Sequence, residues 1–285
     1  MIAPTDHYDT EAKCRGVHCT PARFLFILSR KRRALSLKTT NDLQEESPLE
    51  FRIFTDPVAL QKLLLTLAGG ILPTVRIFVF TILLSVPLGI LLAAGRVSKL
   101  KIIKAPISLY IYIIRSTPLM LQLLFAYFLV SQLTWSPLLQ FIFGDKRADF
   151  PMRCIIYMFS LNYAAYFAEI FRGGIQAIPV GQKEAAKVLG MSRAQSFFRI
   201  QLPQIFKTVM PSLTNELVTL VKDTSIAKVI AVSLDNRTIL HLAEKQVSAL
   251  ASIEPYILVL VFFLLFNGIV EQGCKWIERK MNYYR

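Results

Sequence analysis

The chain has few of the residue types on which soluble enzymes and disulfide-bonded domains depend. Among its 285 residues are four cysteines and three histidines, and charged residues make up 18% of the total. The cysteines, at positions 14, 19, 154 and 274, are too scattered to predict a disulfide framework. Cys14, His18 and Cys19, with the distant His7, match no spacing typical of zinc sites, so we expect no metal site.

Catalytic and nucleotide-binding motifs are also absent from the sequence. No glycine is followed by lysine, which excludes the G-x-x-x-x-G-K-[ST] phosphate-binding loop. Neither H-E-x-x-H nor G-x-S-x-G occurs, so the sequence offers no site for metal-dependent or serine-dependent hydrolysis. We therefore expect no catalytic site and no cofactor on this chain.

Apolar residues, by contrast, are abundant. They make up 54% of the chain and give it a mean hydropathy of +0.47. These values predict an all-α, polytopic membrane protein with about five transmembrane helices. The predicted spans are approximately residues 72–94, 107–133, 152–171, 205–221 and 255–273. In the second span Pro118 should kink the helix, because proline removes one backbone hydrogen bond.

The N-terminal part differs in composition from the rest. Residues 1–59 are predicted to be a polar, poorly ordered extension, and residues 60–285 the membrane domain, which begins with an interfacial segment, Leu60–Leu72. The basic run Arg30–Arg33 could bind anionic lipid headgroups. Alternatively, the extension is a solvated tail or belongs to an over-extended reading of the gene.

The net charge of +14 is distributed unevenly among the loops. Fourteen lysines and arginines lie after span one, between spans three and four and after span five, against six in the opposite loops. Because cytoplasmic loops carry the excess of basic residues, residues 172–204 should face the cytosol. The basic residues before Lys38 do not fit this orientation. We expect these basic residues to lie near membrane lipid and not to bind nucleic acid.

The segment between spans three and four contains a polar, helix-forming stretch. Glu184-Ala-Ala-Lys-Val-Leu-Gly190 is followed nine residues later by Ile200-Gln-Leu-Pro203. Helix-forming residues predict a short helix over 182–189, ending at Gly190. This spacing resembles the cytoplasmic signature loop of permease subunits of binding-protein-dependent ABC importers. Four further stretches resemble the polar amino acid branch of that family: Arg115–Leu119, Glu169–Ile175, Ile178–Pro179 and Lys222–Ser225.

The resemblance implies a role for the signature residues in contact with an ATPase. Ala185 and Ala186 would let a groove of the ATPase approach closely, Glu184 would pair with a basic group there, and Gly190 would make the turn. The whole ATPase-coupling set is Glu184, Ala185, Ala186, Gly190, Ile200, Leu202 and Pro203. The alternative is a solvated surface helix without a partner.

The family resemblance also implies a set of partners in a bacterial inner membrane. They are a homodimeric ABC ATPase carrying ATP and Mg²⁺, a second permease chain of the same or related sequence, an extracytoplasmic solute-binding protein and an amino acid substrate. This chain would itself hydrolyse no ATP. Two alternatives are an ion-coupled secondary transporter and a non-transporting membrane scaffold that docks an ATPase.

Several polar residues fall inside the predicted spans. Arg115 and Glu216 lie eleven and nine residues from the lysines at the cytoplasmic ends of their spans, which at ~1.5 Å per residue places both near mid-bilayer. Opposite charges at one depth suggest that they pair or line a hydrated path. We hypothesise that the path is lined by Arg115, Ser116, Thr117, Gln122, Asn162, Asn215 and Glu216. Alternatively, Arg115 and Glu216 only hold helices together.

Two further polar groups lie at predicted span ends. Glu169 and Arg172 should be interfacial or should contact the signature helix. Residues 222–225 should form an external gate, dock the binding protein, or simply end one helix and cap another.

Overall fold

The computed structural model describes residues 56–133, 137–144, 150–230 and 237–281. All regular elements in these ranges are helices, which confirms the predicted all-α class. The predictions for residues 1–55 lie outside the described ranges. The α-helices, in chain order, are α1 (Pro57–Ala68), α2 (Ile71–Val97), α3 (Lys101–Ser116), α4 (Leu119–Gln132), α5 (Pro137–Phe143), α6 (Phe150–Ala177), α7 (Val180–Val188), α8 (Arg193–Ser196), α9 (Leu202–Asp223), α10 (Ile239–Leu250) and α11 (Glu254–Lys280).

Three helical segments in the described part of the chain are long and apolar enough to cross a membrane. They are Pro57–Val97, which joins α1 and α2, and the helices α6 and α11. They contain the predicted spans 72–94, 152–171 and 255–273. The predicted fourth span, 205–221, is helical within α9 but is not among these apolar segments, and it carries Lys207 and Glu216. Five spans were predicted. By length and apolar composition, the described part of the chain has three, and the bent pair of α3 and α4 is a fourth candidate.

The predicted second span, 107–133, is not one tilted helix. It is divided into α3 and α4, which are bent by 108° across a break at Thr117 and Pro118. Pro118 therefore lies where a kink was predicted, but the change of direction is much larger than a kink. Proline cannot donate a backbone hydrogen bond, and it restricts the preceding residue to extended conformations, as observed for Thr117.

Helix α6 lies at the centre of the main apolar core. In the most apolar 18-residue stretch of α6, 61% is buried inside the chain. The corresponding share for α11 is 11%, so most of the surface of α11 is exposed. Phe159, Tyr163 and Phe167 of α6 are each at most 1% exposed. Helix α2 runs close along α6 at Gly89, where an added Cβ would lie 2.7 Å from Phe167 Cβ. Glycine at this position permits the close approach.

A second apolar cluster joins α1, α10 and α11. It contains Leu63 and Leu67 of α1, Ile239 and Ala243 of α10, and Val259 of α11. Helix α10 was not predicted, although its apolar residues Ile239, Leu242, Ala243, Val247 and Leu250 recur at helical spacing. Because α10 has twelve residues, it is too short for the membrane-span pattern on which the prediction relied.

Candidate functional site

The signature segment folds as the sequence predicts at Gly190. Helix α7 begins after the extended Pro179 and has Leu189 as its C-cap, and Gly190 has a positive φ of 71°. The Gly190 N–H donates to Lys187 O at 3.0 Å, and the Met191 N–H donates to Ala186 O at 3.0 Å. These two bonds form a Schellman motif, in which glycine tolerates the left-handed conformation that ends the helix.

The surface of α7 differs from the expectation for one of its two alanines. Glu184 and Ala185 are exposed, but Ala186 is 1% exposed, so its methyl group packs within the chain. Val188 and Leu189 are 87% and 76% exposed. The outer face of α7 therefore combines an acidic residue, a small residue and an apolar patch. Exposed large apolar groups of this kind indicate a contact surface.

The remaining signature residues, Ile200 just before α9 and Leu202 and Pro203 in its first turn, are half-buried. Helix α8 begins with a capping box, in which Gln195 N donates to Ser192 Oγ at 3.2 Å and Ser192 N donates to Gln195 Oε1 at 2.9 Å. A π-helical turn, Phe197–Gln201, then leads into α9. Pro203 lies in the first turn of α9, as predicted, where its missing N–H costs least. Ile200 and Pro203 line an open cavity together with Gln182 of α7.

Three of the predicted path residues are joined by hydrogen bonds. The Gln122 side chain in α4 donates to Thr117 Oγ1 at 2.6 Å and to the carbonyl oxygen of Ile114 at 2.7 Å. Asn162 Nδ2 of α6 donates to Gln122 Oε1 at 2.8 Å. The break between α3 and α4 is therefore connected directly to the central helix.

Two more path residues, Arg115 and Ser116, line an open cavity of about 360 Å³ beside this network. Arg115 Cζ lies 5.1 Å from the centroid of the Tyr166 ring, which is within cation–π distance. No ion pair joins Arg115 to Glu216 in this structure. On α9, Glu216 is half-buried and Asn215 is exposed, and neither side chain hydrogen-bonds to the other path residues.

Glu169 is held between two arginines at one end of the same cavity. Its Oε2 accepts from Arg172 Nη2 at 2.6 Å and from Arg172 Nε at 2.8 Å. Its Oε1 lies 3.4 Å from Arg96 Nε on α2, and Arg96 also donates to Ser108 Oγ on α3. Glu169 and Arg172 were expected at the interface or against the signature helix. Arg172 contacts Glu169 and Gln176 of its own helix, and the contact of Glu169 with Arg96 joins α6 to α2 and, through Arg96, to α3.

The opposite end of α9 is also tied to α6. Tyr163 Oη donates to Asp223 Oδ2 at 2.7 Å. A 3₁₀ turn, Thr224–Val229, follows α9 directly, so residues 222–225 form a helix end. Lys228 of this turn forms an ion pair with Glu244 of α10. Sequence reasoning missed Arg96, Ser108, Tyr163 and Glu244, whose roles depend on partners distant along the chain.

No group of three potential metal ligands occurs in the ranges that the structure describes. The cluster considered at positions 7, 14, 18 and 19 lies outside those ranges.

Comparisons with known proteins identify this architecture. The family described as binding-protein-dependent transport system inner membrane component matches residues 85–283. The octopine transport system permease protein OccM of Rhizobium radiobacter is 33% identical over 241 residues, which cover 80% of this chain and 93% of that protein. The arginine transport system permease protein ArtQ of Bacillus subtilis is 34% identical over 214 residues, covering 74% and 90%.

Solved structures have the same fold. The crystal structure of an amino acid ABC transporter with histidines is matched with a TM-score of 0.65 at 29% identity, over 79% of this chain and 98% of that chain. An inward-facing structure of the MetNI methionine ABC transporter is matched with a TM-score of 0.60 at 17% identity, covering 76% and 96%, a likeness of fold. The chain therefore belongs to the family of permease subunits of binding-protein-dependent ABC importers, in the polar amino acid class, and is a multi-pass inner-membrane protein.

Proposed function

We propose that this chain forms the translocation path for a polar amino acid and converts the movements of a separate ATPase into opening and closing of that path. The observation that carries the proposal is the exposed face of α7, where Glu184 and Ala185 lie beside the exposed Val188 and Leu189. A partner with a basic group and an apolar groove would complement this face. ATP and Mg²⁺ would be bound by the ATPase dimer.

The connections of α7 support its action as a lever. Two residues separate α7 from α6, and one of them, Ile178, is buried in the main core. On the other side, α8, the π-helical turn and α9 form a continuous helical run. A force on α7 is therefore applied to both α6 and α9. Since these helices carry Asn162, Asn215 and Glu216, their movement would change the shape of the proposed path.

The path would open alternately to the two sides of the membrane. In this mechanism, closure of the ATPase pair brings the α7 helices of two permease chains together and opens the path outward, and hydrolysis reverses the movement. A solute-binding protein delivers the amino acid to the open path, with α7 and the C-terminus facing the cytosol. Arg115, Ser116, Thr117, Gln122, Asn162, Asn215 and Glu216 would then need to hold the substrate only weakly.

Glu184→Lys tests the contact with the ATPase. The permease is co-expressed with an ABC ATPase and a solute-binding protein of the same organism, and co-purification and ATP-dependent uptake of a panel of amino acids into vesicles are measured. We expect normal membrane insertion, with ATPase co-purification and uptake reduced at least about tenfold, because charge reversal turns attraction into repulsion. Lys245→Glu, on the exposed surface of α10, is the control and should leave both unchanged.

The same assay separates the alternatives. Uptake by the wild-type complex that survives ATP depletion and stops when the ion gradient collapses would contradict an ATP-driven importer. ATPase binding without uptake of any amino acid would indicate a scaffold. Full assembly and uptake with Glu184→Lys would contradict the role given to the exposed face of α7.

A further inference from the structure

The break between α3 and α4 lies in a segment apolar enough to be membrane-embedded, and it exposes backbone groups that a continuous helix would satisfy. The last carbonyl groups of a helix have no partner within that helix, and in a bilayer each unsatisfied group costs several kcal/mol. α3 ends at Ser116 and α4 begins at Leu119, with a bend of 108° between them. The break therefore needs partners for the carbonyl oxygens at the end of α3.

The side chain of Gln122 supplies a partner for one of them, Ile114 O. Its Nε2 lies 2.7 Å from Ile114 O, 2.6 Å from Thr117 Oγ1 and 3.1 Å from Thr117 O. The Thr117 hydroxyl donates its own proton to Ile113 O at 2.8 Å, so it must accept from Gln122. All three neighbours of Nε2 are acceptors, which fixes the orientation of the amide. The amide oxygen of Gln122, Oε1, therefore accepts a hydrogen bond from a donor outside the break.

That donor is on the central helix. Asn162, which is 4% exposed, donates through Nδ2 to Gln122 Oε1 at 2.8 Å. Further along α6, Glu169 and Arg172 form the ion cluster with Arg96. Helix α6 ends at Ala177, and α7 begins at Val180 after two intervening residues. A single rigid helix thus carries both the contact to the break and the connection to the proposed ATPase surface.

We propose that Gln122 is a positioning residue: it holds the α3–α4 break in one geometry and, through its hydrogen bond with Asn162, transmits movement of α6 to the break. The inference rests on the proposed function for the source of that movement. Gln122 then lines the proposed path and also fixes the shape of the break. Its two ends have separable tasks, because Nε2 bonds to Ile114 O of α3 and to Thr117 in the break, and Oε1 accepts the hydrogen bond from Asn162 of α6.

The two tasks predict different effects of two substitutions. Gln122→Leu removes both the brace and the link, whereas Asn162→Leu, of similar size, removes the link and leaves the Gln122 bonds to α3. Thr117→Val keeps the link to α6 but removes the hydroxyl that accepts from Gln122 and donates to Ile113 O, while Ile114 O, Thr117 O and Asn162 remain as partners of Gln122. The assembled complex is used, and backbone hydrogen exchange of residues 114–122 is measured with and without nucleotide trapped as ADP and vanadate after addition of ATP.

We expect trapped nucleotide to change the exchange of this segment in the wild type and in Thr117→Val. With Gln122→Leu, exchange should be about five- to tenfold faster without nucleotide, as expected for the loss of one net hydrogen bond. With Asn162→Leu, exchange without nucleotide should stay within about twofold of the wild type, but the response to nucleotide should disappear.

Either of two results would overturn the inference. One is Gln122→Leu with wild-type exchange at the break, and the other is Asn162→Leu with a full nucleotide response. If the ATPase does not assemble with the wild-type chain, the proposed function fails instead. The comparison of Gln122→Leu with the wild type without nucleotide still decides whether Gln122 braces the break, since it requires no transport.

Discussion

Tyr163 of α6 donates a 2.7 Å hydrogen bond to Asp223 at the last residue of α9. Near the other end of α9, Gly174 of α6 lies directly against Val209 and Ile205 of α9. The two helices that flank the signature segment are therefore joined at both ends. This pairing implies that a force on α7 moves α6 and α9 together.

Tyr163→Phe tests the hydrogen bond between Tyr163 and Asp223. The substitution keeps the buried ring but removes the hydroxyl, so the half-buried Asp223 carboxylate loses a donor. We expect a loss of stability of about 1–3 kcal/mol, measured as thermal unfolding of the detergent-purified permease. Tyr157→Phe, which removes a bond to Ile142 O at the mostly exposed α5, is the matched control and should cost less. An equal loss for both variants would contradict a special role for the Asp223 contact.

Gly174→Ala tests the close packing of α6 on α9. An added Cβ would lie 3.2 Å from Ile205 Cγ2 and closer still to Val209, so the helices must separate. Overpacking of this kind typically costs about 1–3 kcal/mol of stability. The adjacent Gly173 is the control, because a Cβ there meets nothing within 4 Å. Gly173→Ala should be neutral or stabilising by up to about 1 kcal/mol, since alanine favours the helix.

Glu169→Gln tests the ion cluster beside the cavity. Glu169 accepts hydrogen bonds from Arg172 and Arg96, and its side chain is 16% exposed. Without the negative charge of Glu169, nothing at this position compensates the repulsion between Arg96 and Arg172. We expect a loss of about 1–2 kcal/mol in thermal unfolding, because the cluster is only partly shielded from solvent.

The control for this cluster is the pair Lys275–Glu271 on α11, whose side chains are 49% and 45% exposed. Glu271→Gln should change the stability by less than about 0.5 kcal/mol. A Glu169→Gln variant as stable as Glu271→Gln would show that the cluster contributes nothing to holding α2 and α6 together.

Gly190→Ala tests the turn that ends α7. No atom would clash with the added methyl group, so the cost comes from the φ of +71°, which is about 1–2 kcal/mol for a residue with a Cβ. Local hydrogen exchange of α7 should accelerate, and ATPase co-purification should weaken. Gly181→Ala, in the same helix with equal space and ordinary backbone angles, should change neither. Unchanged exchange in Gly190→Ala would contradict this account of the turn.

Local features of the fold could be predicted because they depend on a few adjacent residues. The turn at Gly190 follows from helix-forming residues ended by glycine, and Pro203 marks the first turn of α9. The bend at Pro118 was placed correctly but underestimated. Its angle depends on the hydrogen bonds of Gln122 with α3 and with Asn162, which is forty residues away along the chain.

Features that depend on tertiary packing were missed for the same physical reason. The burial of Ala186 is set by how α7 packs on the segment that follows it, which helical periodicity alone does not determine. Glu169 and Arg96 are 73 residues apart, and their pairing requires the contact between α2 and α6. Arg115 and Glu216, which equal depth suggested as a pair, interact electrostatically but form no direct ion pair, because depth leaves the direction of a side chain around its helix undetermined.

The exposed position of Ala185 permits the most direct test of the lever. Ala185→Cys is prepared with the four native cysteines replaced by serine, and labelling by a membrane-impermeant thiol reagent is compared in intact spheroplasts and inside-out vesicles. Lys245→Cys, in the loop predicted on the opposite side, is the control. We expect Ala185→Cys to be labelled in inside-out vesicles only, and to be protected when the ATPase is bound. Labelling in intact spheroplasts, or labelling that the bound ATPase does not reduce, would contradict the account.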